Sequence, residues 1–176
     1  MKKPRRIILI DADIVSHFIK AGQLLILPRI FSFPICVLDK VYAELENFRS
    51  KKAEVDNLVN MKLVTLLAFP EEDANIRKEY YLLKKQNKGD GEAACMAMAL
   101  FQKHILASSN LRDVVHYCNL HSIDHLTTMD FLCEALQNGI YTQPDCDDFI
   151  QKVLAKGGKL PVQRMQEYIY QPKIFI

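Results

Sequence analysis

Short apolar runs alternate along this chain with stretches in which apolar residues recur at helical spacing. Runs that are apolar at nearly every position are typical of strands buried on both faces of a parallel sheet. Such strands are predicted at 6–11, 33–38, 63–69 and 104–109, with helices at 14–20, 39–52, 71–85 and 92–99. This alternation predicts a three-layer α/β/α fold with a central, mainly parallel sheet.

The last third of the chain is predicted to be mostly helical, because its segments carry suitable helix caps. Helices are expected at 127–137, at 144–155 and at 161–170, and Gly139 and the Gly157-Gly158 pair follow the first two. A chain of 176 residues with 49% hydrophobic residues falls in the usual size range of one domain. We therefore expect a single domain over 1–176, with a core at about 5–125 and a helical C-terminal extension at about 126–170.

The composition favours a protein of the cytoplasm. The five cysteines are odd in number and form no Cys-x-x-Cys pair, which predicts reduced, buried thiols. No stretch approaches the roughly 18 apolar residues of a membrane helix, and Asp11 ends the first apolar run too early for a secretory signal. The 23 basic and 21 acidic residues are nearly balanced, so the net charge does not identify a partner.

Four acidic residues stand at the ends of predicted strands or on predicted helices: Asp11, Glu44, Glu92 and Asp113. Because parallel strands end at one edge of a sheet, these carboxylates are expected to meet in one pocket. Glu44 lies on an apolar stripe with Val41 and Phe48, where a charge is costly unless it is paired or bound. Crowded carboxylates repel one another unless a cation neutralises them, and oxygen ligands favour magnesium or manganese.

The segments that contain these residues occur in a fixed order. They span 7–15, 37–45, 91–99 and 107–113. The first segment begins with a predicted strand, the third begins an alanine-rich helix, and the fourth follows a predicted strand. Their order and spacing resemble the motifs of the PIN-domain family, metal-dependent ribonucleases that include the VapC-type toxins of toxin–antitoxin pairs. The later helices and glycines are similar to the extended tail of one uncharacterised PIN subgroup.

The resemblance implies a PIN-like fold and an endoribonuclease that hydrolyses RNA phosphodiester bonds with Mg²⁺ or Mn²⁺. It implies catalytic and metal-binding roles for Asp11, Glu44, Glu92 and Asp113. Water-mediated or orienting roles beside that site are expected of Asp13, Asp90, Ser108 and Asn110. RNA affinity also requires basic side chains nearby. The candidates are Lys84, Lys85, Lys88 and Arg112, together with Lys103.

The resemblance also has consequences for partners. A toxin of this type is expected to bind an antitoxin protein, and many proteins of this fold form homodimers. The apolar, tyrosine-rich tail provides either a dimer interface or a cover for the core, through Tyr168, Tyr170, Ile174, Phe175 and Ile176. The alternative function is a PIN-fold module that binds RNA or protein while its metal site is degenerate. Absence of magnesium binding would favour that alternative.

Two other chemistries fit parts of the sequence. The strand that ends at Asp11 is similar to the first motif of haloacid-dehalogenase phosphatases. That family needs a threonine soon afterwards and an Asp-Asp pair behind a late strand, whereas the pair at 147–148 lies in a helical pattern. A zinc site is suggested by spacing alone, without a fourth ligand, at Cys118, His121 and His125.

Overall fold

The sheet is central and entirely parallel. The structure, a computed structural model, describes residues 6–46 and 49–175. Its five strands are β1 (Ile8–Ile10), β2 (Ile35–Leu38), β3 (Thr65–Leu67), β4 (Ile105–Ala107) and β5 (His125–Leu126). They lie in the order β3-β2-β1-β4-β5. The four predicted strands are confirmed. The fifth, β5, was not predicted because a strand of two residues has no recognisable sequence pattern.

Helices flank this sheet and complete the predicted three-layer α/β/α fold. They are α1 (Ala12–Ala21), α2 (Asp39–Glu46), α3 (Arg49–Asn60), α4 (Ala74–Lys85), α5 (Asp90–Gln102), α6 (Val114–His121), α7 (Thr128–Gln137) and α8 (Gln143–Ala155). Single turns of 3₁₀ helix occur at Leu27–Arg29 and Met165–Glu167. The expected continuous helix at 39–52 is represented by α2 and α3, and Phe48 lies outside the described residues.

The centre of the core is formed by β1 and α5. All three residues of β1 are completely buried, as expected of a strand covered on both faces. Every residue of α5 from Ala93 to Ala99 is also buried. The small alanine side chains let α5 pack closely on β1, β2 and the neighbouring helices α2 and α4. This packing brings the first turn of α5 to the carboxyl edge of the sheet.

The C-terminal extension differs from its prediction in one segment. Helices α7 and α8 begin with capping boxes at Thr127 and Thr142, as the sequence predicts. The helix expected at 161–170 is wrong, since only Met165–Glu167 forms a turn. The Met165 N–H donates to Asp147 Oδ1 at 2.7 Å and the Gln163 N–H to Glu167 Oε2 at 2.9 Å. The Asp147 carboxylate thus takes the place of the Pro161 carbonyl, to which the Met165 N–H would donate in such a helix.

The tail covers part of the core. The ring of Phe175 packs edge-on against Phe31 and Phe33, with centroids 6.1 and 5.4 Å apart. Ile174 is exposed, and Ile176 lies outside the described residues. All five cysteines are buried and carry free thiols. Among the described residues, no helix is long and apolar enough to cross a membrane.

Candidate functional site

Asp11 lies at the carboxyl end of β1, where the chain turns into α1. Its N–H donates to the Ala107 carbonyl at 2.9 Å, which continues the β1–β4 ladder by one residue. Its side chain caps α1, because Oδ1 accepts the Ala12 N–H at 2.8 Å. Only 6% of Asp11 is exposed. The strand therefore delivers a carboxylate into the interior at the sheet edge.

Asp13 lies beside Asp11 in the first turn of α1. Its Oδ2 accepts the Ser109 N–H at 2.8 Å, and its Oδ1 accepts the Ile14 N–H at 2.6 Å. The Ser108 hydroxyl lies 3.3 Å from an oxygen of Asp11 and 3.3 Å from an oxygen of Asp13. Ser108 therefore bridges the two carboxylates from the end of β4. Asp13 and Asp11 thus contact the same serine hydroxyl.

Glu44 approaches from α2 and contacts the start of α5. The Gly91 N–H donates to Glu44 Oε1 at 2.8 Å. This contact depends on a close approach of two helices, since a Cβ on Gly91 would lie 2.9 Å from Val41 Cγ2. Glu44 is partly buried, in agreement with its position on the apolar stripe of α2.

Glu92 lies in the first turn of α5 and is held by Asn110. The Asn110 side-chain amide donates to Glu92 Oε1 at 2.5 Å. The Asn110 N–H in turn donates to the Ser108 hydroxyl at 3.2 Å. The loop after β4 thus contacts Asp11, Asp13 and Glu92 through the side chains of Ser108 and Asn110.

The four carboxylates of Asp11, Asp13, Glu44 and Glu92, here called the carboxylate cluster, interact through their charges. Burial raises the pKa of Asp11 well above its usual value, and the charges of Asp13, Glu92 and Glu44 raise it further. Burial also raises the pKa of Asp13 to about 6, against the effect of its hydrogen bonds from Ser109, Ile14 and Ser108. The cluster is therefore strained electrostatically when fully ionised.

The buried thiol of Cys95 shows that these charges converge on one place. Cys95 lies on α5 and is completely buried. Burial raises the pKa of its thiol, and each of the four cluster carboxylates raises it further. Carboxylates from three helices thus act on the same point of α5.

Asp113 takes a different position from the other three predicted ligands. It lies at the N-terminus of α6, where its exposed carboxylate pairs with the Lys88 ammonium at 2.8 Å. This ion pair lowers the pKa of Asp113, and Asn110 also donates to it. The structure brings Asp11, Glu44 and Glu92 together and leaves Asp113 at the rim, joined to Glu92 through Asn110.

The predicted RNA-binding lysines are partly engaged by acidic side chains. Lys84 pairs with Asp90 at 2.6 Å, and the Tyr80 hydroxyl donates to the same Asp90 oxygen at 3.0 Å. Asp90 is thus held at the surface between α4 and α5, while Lys85 is exposed. Lys103 follows the last residue of α5, about 20 Å from its first turn for a 13-residue helix. Lys103 therefore lies at the opposite end of α5 from the carboxylate cluster.

A cavity of about 760 Å³ opens beside Asp13. Its walls come from α1, from the loop after β4, from the start of α7 and from the segment after α8. The residues that sequence reasoning missed here include His17, Lys20, Thr128, Lys159 and Tyr168. The one sequence feature that pointed to this region was the glycine pair at 157–158, where the chain turns after α8. Arg112, one of the predicted RNA-binding residues, also lines this cavity.

The donor chemistry of the cluster fits a hard divalent cation. Carboxylate oxygens are the ligands that magnesium and manganese prefer, and such a cation would offset the repulsion at Asp11. Within 6–46 and 49–175, no three histidine, cysteine, aspartate or glutamate side chains are already placed so that they could hold a metal ion.

Within the part of the chain that the structure describes, Cys118, His121 and His125 likewise do not form a group that could hold a metal ion. Cys118 is completely buried, and burial raises the pKa of its thiol to about 12. The aspartate pair of the phosphatase alternative lies inside α8, where Asp147 accepts from Met165 and Asp148 pairs with Lys152. Cys118 is thus part of the core, and both aspartates of the pair already have a hydrogen-bonding or ionic partner.

Comparison of the chain with models of known protein families and with curated proteins found no match. Any functional assignment therefore depends on the carboxylate cluster and on the side chains around it.

Proposed function

We propose that this protein is a metal-dependent endoribonuclease of the PIN-domain type. One observation carries the proposal: Asp11 is buried at the carboxyl edge of a parallel sheet among three other carboxylates that raise its pKa. Ligand sites of open α/β sheets occur at this edge. Ionised carboxylates in such surroundings are unfavourable by themselves, and a divalent cation offsets their repulsion.

The motif resemblance supports the same site. Three of the four carboxylates that the motifs imply as ligands belong to the cluster, namely Asp11, Glu44 and Glu92. Asp13 adds a fourth from the adjacent turn. In this proposal these residues hold the cation, and Asp113 with Lys88 forms the rim next to Asn110.

Each part of the site has a separate task in phosphodiester hydrolysis. Asp11, Asp13, Glu44 and Glu92 would hold a magnesium or manganese ion, which would supply a water of lowered pKa and offset charge on the phosphate. Ser108 orients Asp11 and Asp13, while the Gly91 N–H and Asn110 orient Glu44 and Glu92. The burial of Asp11 excludes water from one side of the cluster.

RNA is the proposed substrate. An antitoxin partner, a homodimer and a cytoplasmic location are expectations from the resemblance alone. A second function, a module that binds RNA or protein with a degenerate metal site, is favoured by the finding that no three ligands are already placed for a metal among the described residues.

Cleavage of a mixed single-stranded RNA pool distinguishes these two functions. The comparison uses wild type, Asp11→Asn and the control Asp148→Asn, with manganese or with a chelator. Asp148 is a suitable control because it is exposed on α8 and pairs only at the surface with Lys152. The nuclease proposal expects manganese-dependent cleavage that Asp148→Asn keeps and Asp11→Asn loses. Metal-independent binding without cleavage by wild type supports the binding module instead.

A further inference from the structure

The cavity beside Asp13 has the dimensions of a ligand site. Its volume of about 760 Å³ lies within the roughly 300–1,000 Å³ that is usual for small-molecule pockets. Asp13 and Asn110 belong both to its wall and to the carboxylate cluster or its supports. A ligand in the cavity would therefore extend directly toward the cluster.

The charge of the cavity favours an anionic ligand. Among the described residues that line it, three are cationic, Lys20, Arg112 and Lys159, and one is anionic, Asp13. The cations come from the end of α1, the loop after β4 and the segment after α8. Lys159 and Arg112 are exposed at the surface, where phosphate groups can reach them.

Part of the remaining wall is apolar and includes an aromatic ring. Met129, Leu160 and Tyr168 line the cavity together with Pro161 and Leu111. Apolar and aromatic walls of this kind accept the flat faces of nucleobases, which stack on aromatic side chains. The combination of apolar and aromatic side chains with three cationic ones matches a nucleotide better than it matches a simple anion.

Hydrogen bonds fix the position of this wall relative to the cluster. His17 Nδ1 lies 2.8 Å from Thr128 Oγ1, which lies 2.6 Å from the Ser109 hydroxyl. The Ser109 N–H donates to Asp13 at 2.8 Å. The start of α7, which forms one cavity wall, is thus connected to Asp13 through Thr128 and Ser109.

The glycine pair after α8 allows the segment that carries Lys159 and Leu160 to form another wall of the cavity. Gly157 has a left-handed backbone with φ of +74°, and a Cβ on Gly158 would lie 2.4 Å from Val153 Cγ1 and 3.4 Å from His17 Cδ2. The segment can therefore cross close to α8 and α1 only with glycine at 158. This crossing places Lys159 and Leu160 over the cavity.

We propose that this cavity binds one unpaired nucleoside of a single-stranded RNA, next to the phosphodiester that reaches the carboxylate cluster. The base contacts the apolar part of the wall at Met129, Leu160 and Tyr168, and the flanking phosphates contact Lys20, Arg112 and Lys159. A base in a duplex cannot enter such a cavity without being extruded, so single strands are preferred. The inference rests on the proposed function for its substrate class, and it assigns base recognition to the C-terminal extension.

Binding in a chelator, where metal-dependent cleavage does not occur, tests the cavity directly. The probe is a short fluorescein-labelled oligouridine, and its abasic ribose-phosphate analogue of equal charge is the comparison, with affinity measured by fluorescence anisotropy. We expect Lys159→Glu and Arg112→Glu each to weaken oligouridine binding about tenfold. Lys78→Glu is the matched charge control, because Lys78 is exposed on α4 and does not line the cavity. It should change affinity less than about twofold.

A second variant separates base binding from phosphate binding. Leu160→Ala should weaken binding of the oligouridine about tenfold and leave binding of the abasic strand unchanged, because apolar contact with the base is lost while the charges remain. Circular dichroism and thermal unfolding confirm that each variant is folded before its affinity is compared with that of wild type.

The inference would be overturned by equal binding of oligouridine and abasic strands by wild type, or by equal effects of Lys159→Glu and Lys78→Glu. Binding of a polyglutamate peptide at the cavity as tightly as oligouridine would also overturn it, in favour of an acidic protein partner. These experiments distinguish failure of the cavity inference from failure of the nuclease proposal. Cavity-dependent RNA binding without cleavage supports the inference alone, whereas manganese-dependent cleavage that is insensitive to Lys159→Glu and Leu160→Ala removes the inference and keeps the nuclease.

Discussion

The backbone N–H of Gly91 donates a hydrogen bond to Oε1 of Glu44, and the two atoms lie 2.8 Å apart. This bond joins the first turn of α5 to α2 and holds one carboxylate of the cluster in place. The helices approach so closely here that a Cβ on Gly91 would lie 2.9 Å from Val41 Cγ2 and 3.0 Å from Val41 Cα. Glycine at 91 is thus a requirement of the site as well as of the packing.

Substitution of this glycine tests that requirement. Gly91→Ala is expected to lower the free energy of unfolding by about 1–3 kcal/mol, because the added methyl overlaps the backbone of α2. Gly89→Ala is the matched comparison, since its Cβ would meet only the flexible end of Glu44, at 3.2 Å. Urea unfolding of both variants measures the difference. Equal midpoints for Gly91→Ala and wild type would show that α2 and α5 are not in close contact.

The stability of the protein should depend on pH through Asp13. Its pKa is about 6 in the folded state, above the ordinary 3.8, so the folded state binds more protons than the unfolded state between these values. The free energy of unfolding therefore decreases as pH rises through this interval, by about 1–3 kcal/mol for a shift of this size. Asp13→Asn should remove this decrease.

The comparison with Asp13→Asn at each pH is necessary because His17 acts in the opposite direction. Burial lowers the pKa of His17 to about 4, so its neutral form favours folding as pH rises toward its unfolded value. Urea unfolding in a chelator between pH 4.5 and 7.5 gives the difference between variant and wild type. The variant should gain stability relative to wild type with rising pH, and a constant difference contradicts an elevated pKa at Asp13.

Asp113 should matter less for catalysis than Asp11. Its carboxylate pairs with Lys88 at the exposed rim, whereas Asp11 lies buried within the cluster. Asp11→Asn should reduce manganese-dependent cleavage by about 100-fold or more, and Asp113→Asn by about tenfold or less. Initial rates on one labelled RNA measure both. Equal losses would show that Asp113 moves away from Lys88 and joins the metal ligands.

Ser108 should contribute by holding Asp11 and Asp13 together. Its hydroxyl lies 3.3 Å from both carboxylates, so Ser108→Ala is expected to weaken manganese binding about tenfold. Ser108→Thr keeps the hydroxyl and should bind manganese within about twofold of wild type. Ser50→Ala, at an exposed position on α3, controls for loss of a serine hydroxyl elsewhere. Unchanged affinity in Ser108→Ala would show that the bridge does not position the cluster.

Much of this architecture could be predicted from the sequence. The continuous apolar run before Asp11 and the alanines of α5 predict elements that are buried on all sides. Both elements, β1 and α5, lie at the centre of the core. Caps such as Thr127 and Gly22 also place helix ends within a residue or two. These features are local, so a single sequence suffices to recognise them.

The remaining features depend on contacts between distant segments. In place of the helix expected at 161–170, the Met165 N–H, which would donate to the Pro161 carbonyl in such a helix, donates to the distant Asp147. The pairing of Asp113 with Lys88 likewise results from the meeting of two loops. The cavity is formed by segments as far apart as 13 and 168, and no spacing along the chain indicates that they meet.

Titration of manganese into the protein by calorimetry tests the central claim, that the carboxylate cluster binds a divalent cation. The comparison includes wild type, Asp11→Asn and the surface control Asp148→Asn, each at pH 7.5 and with matched circular dichroism. We predict saturable manganese binding by wild type and Asp148→Asn that is lost in Asp11→Asn. Absence of binding by folded wild type, or equal binding by Asp11→Asn, would contradict the account.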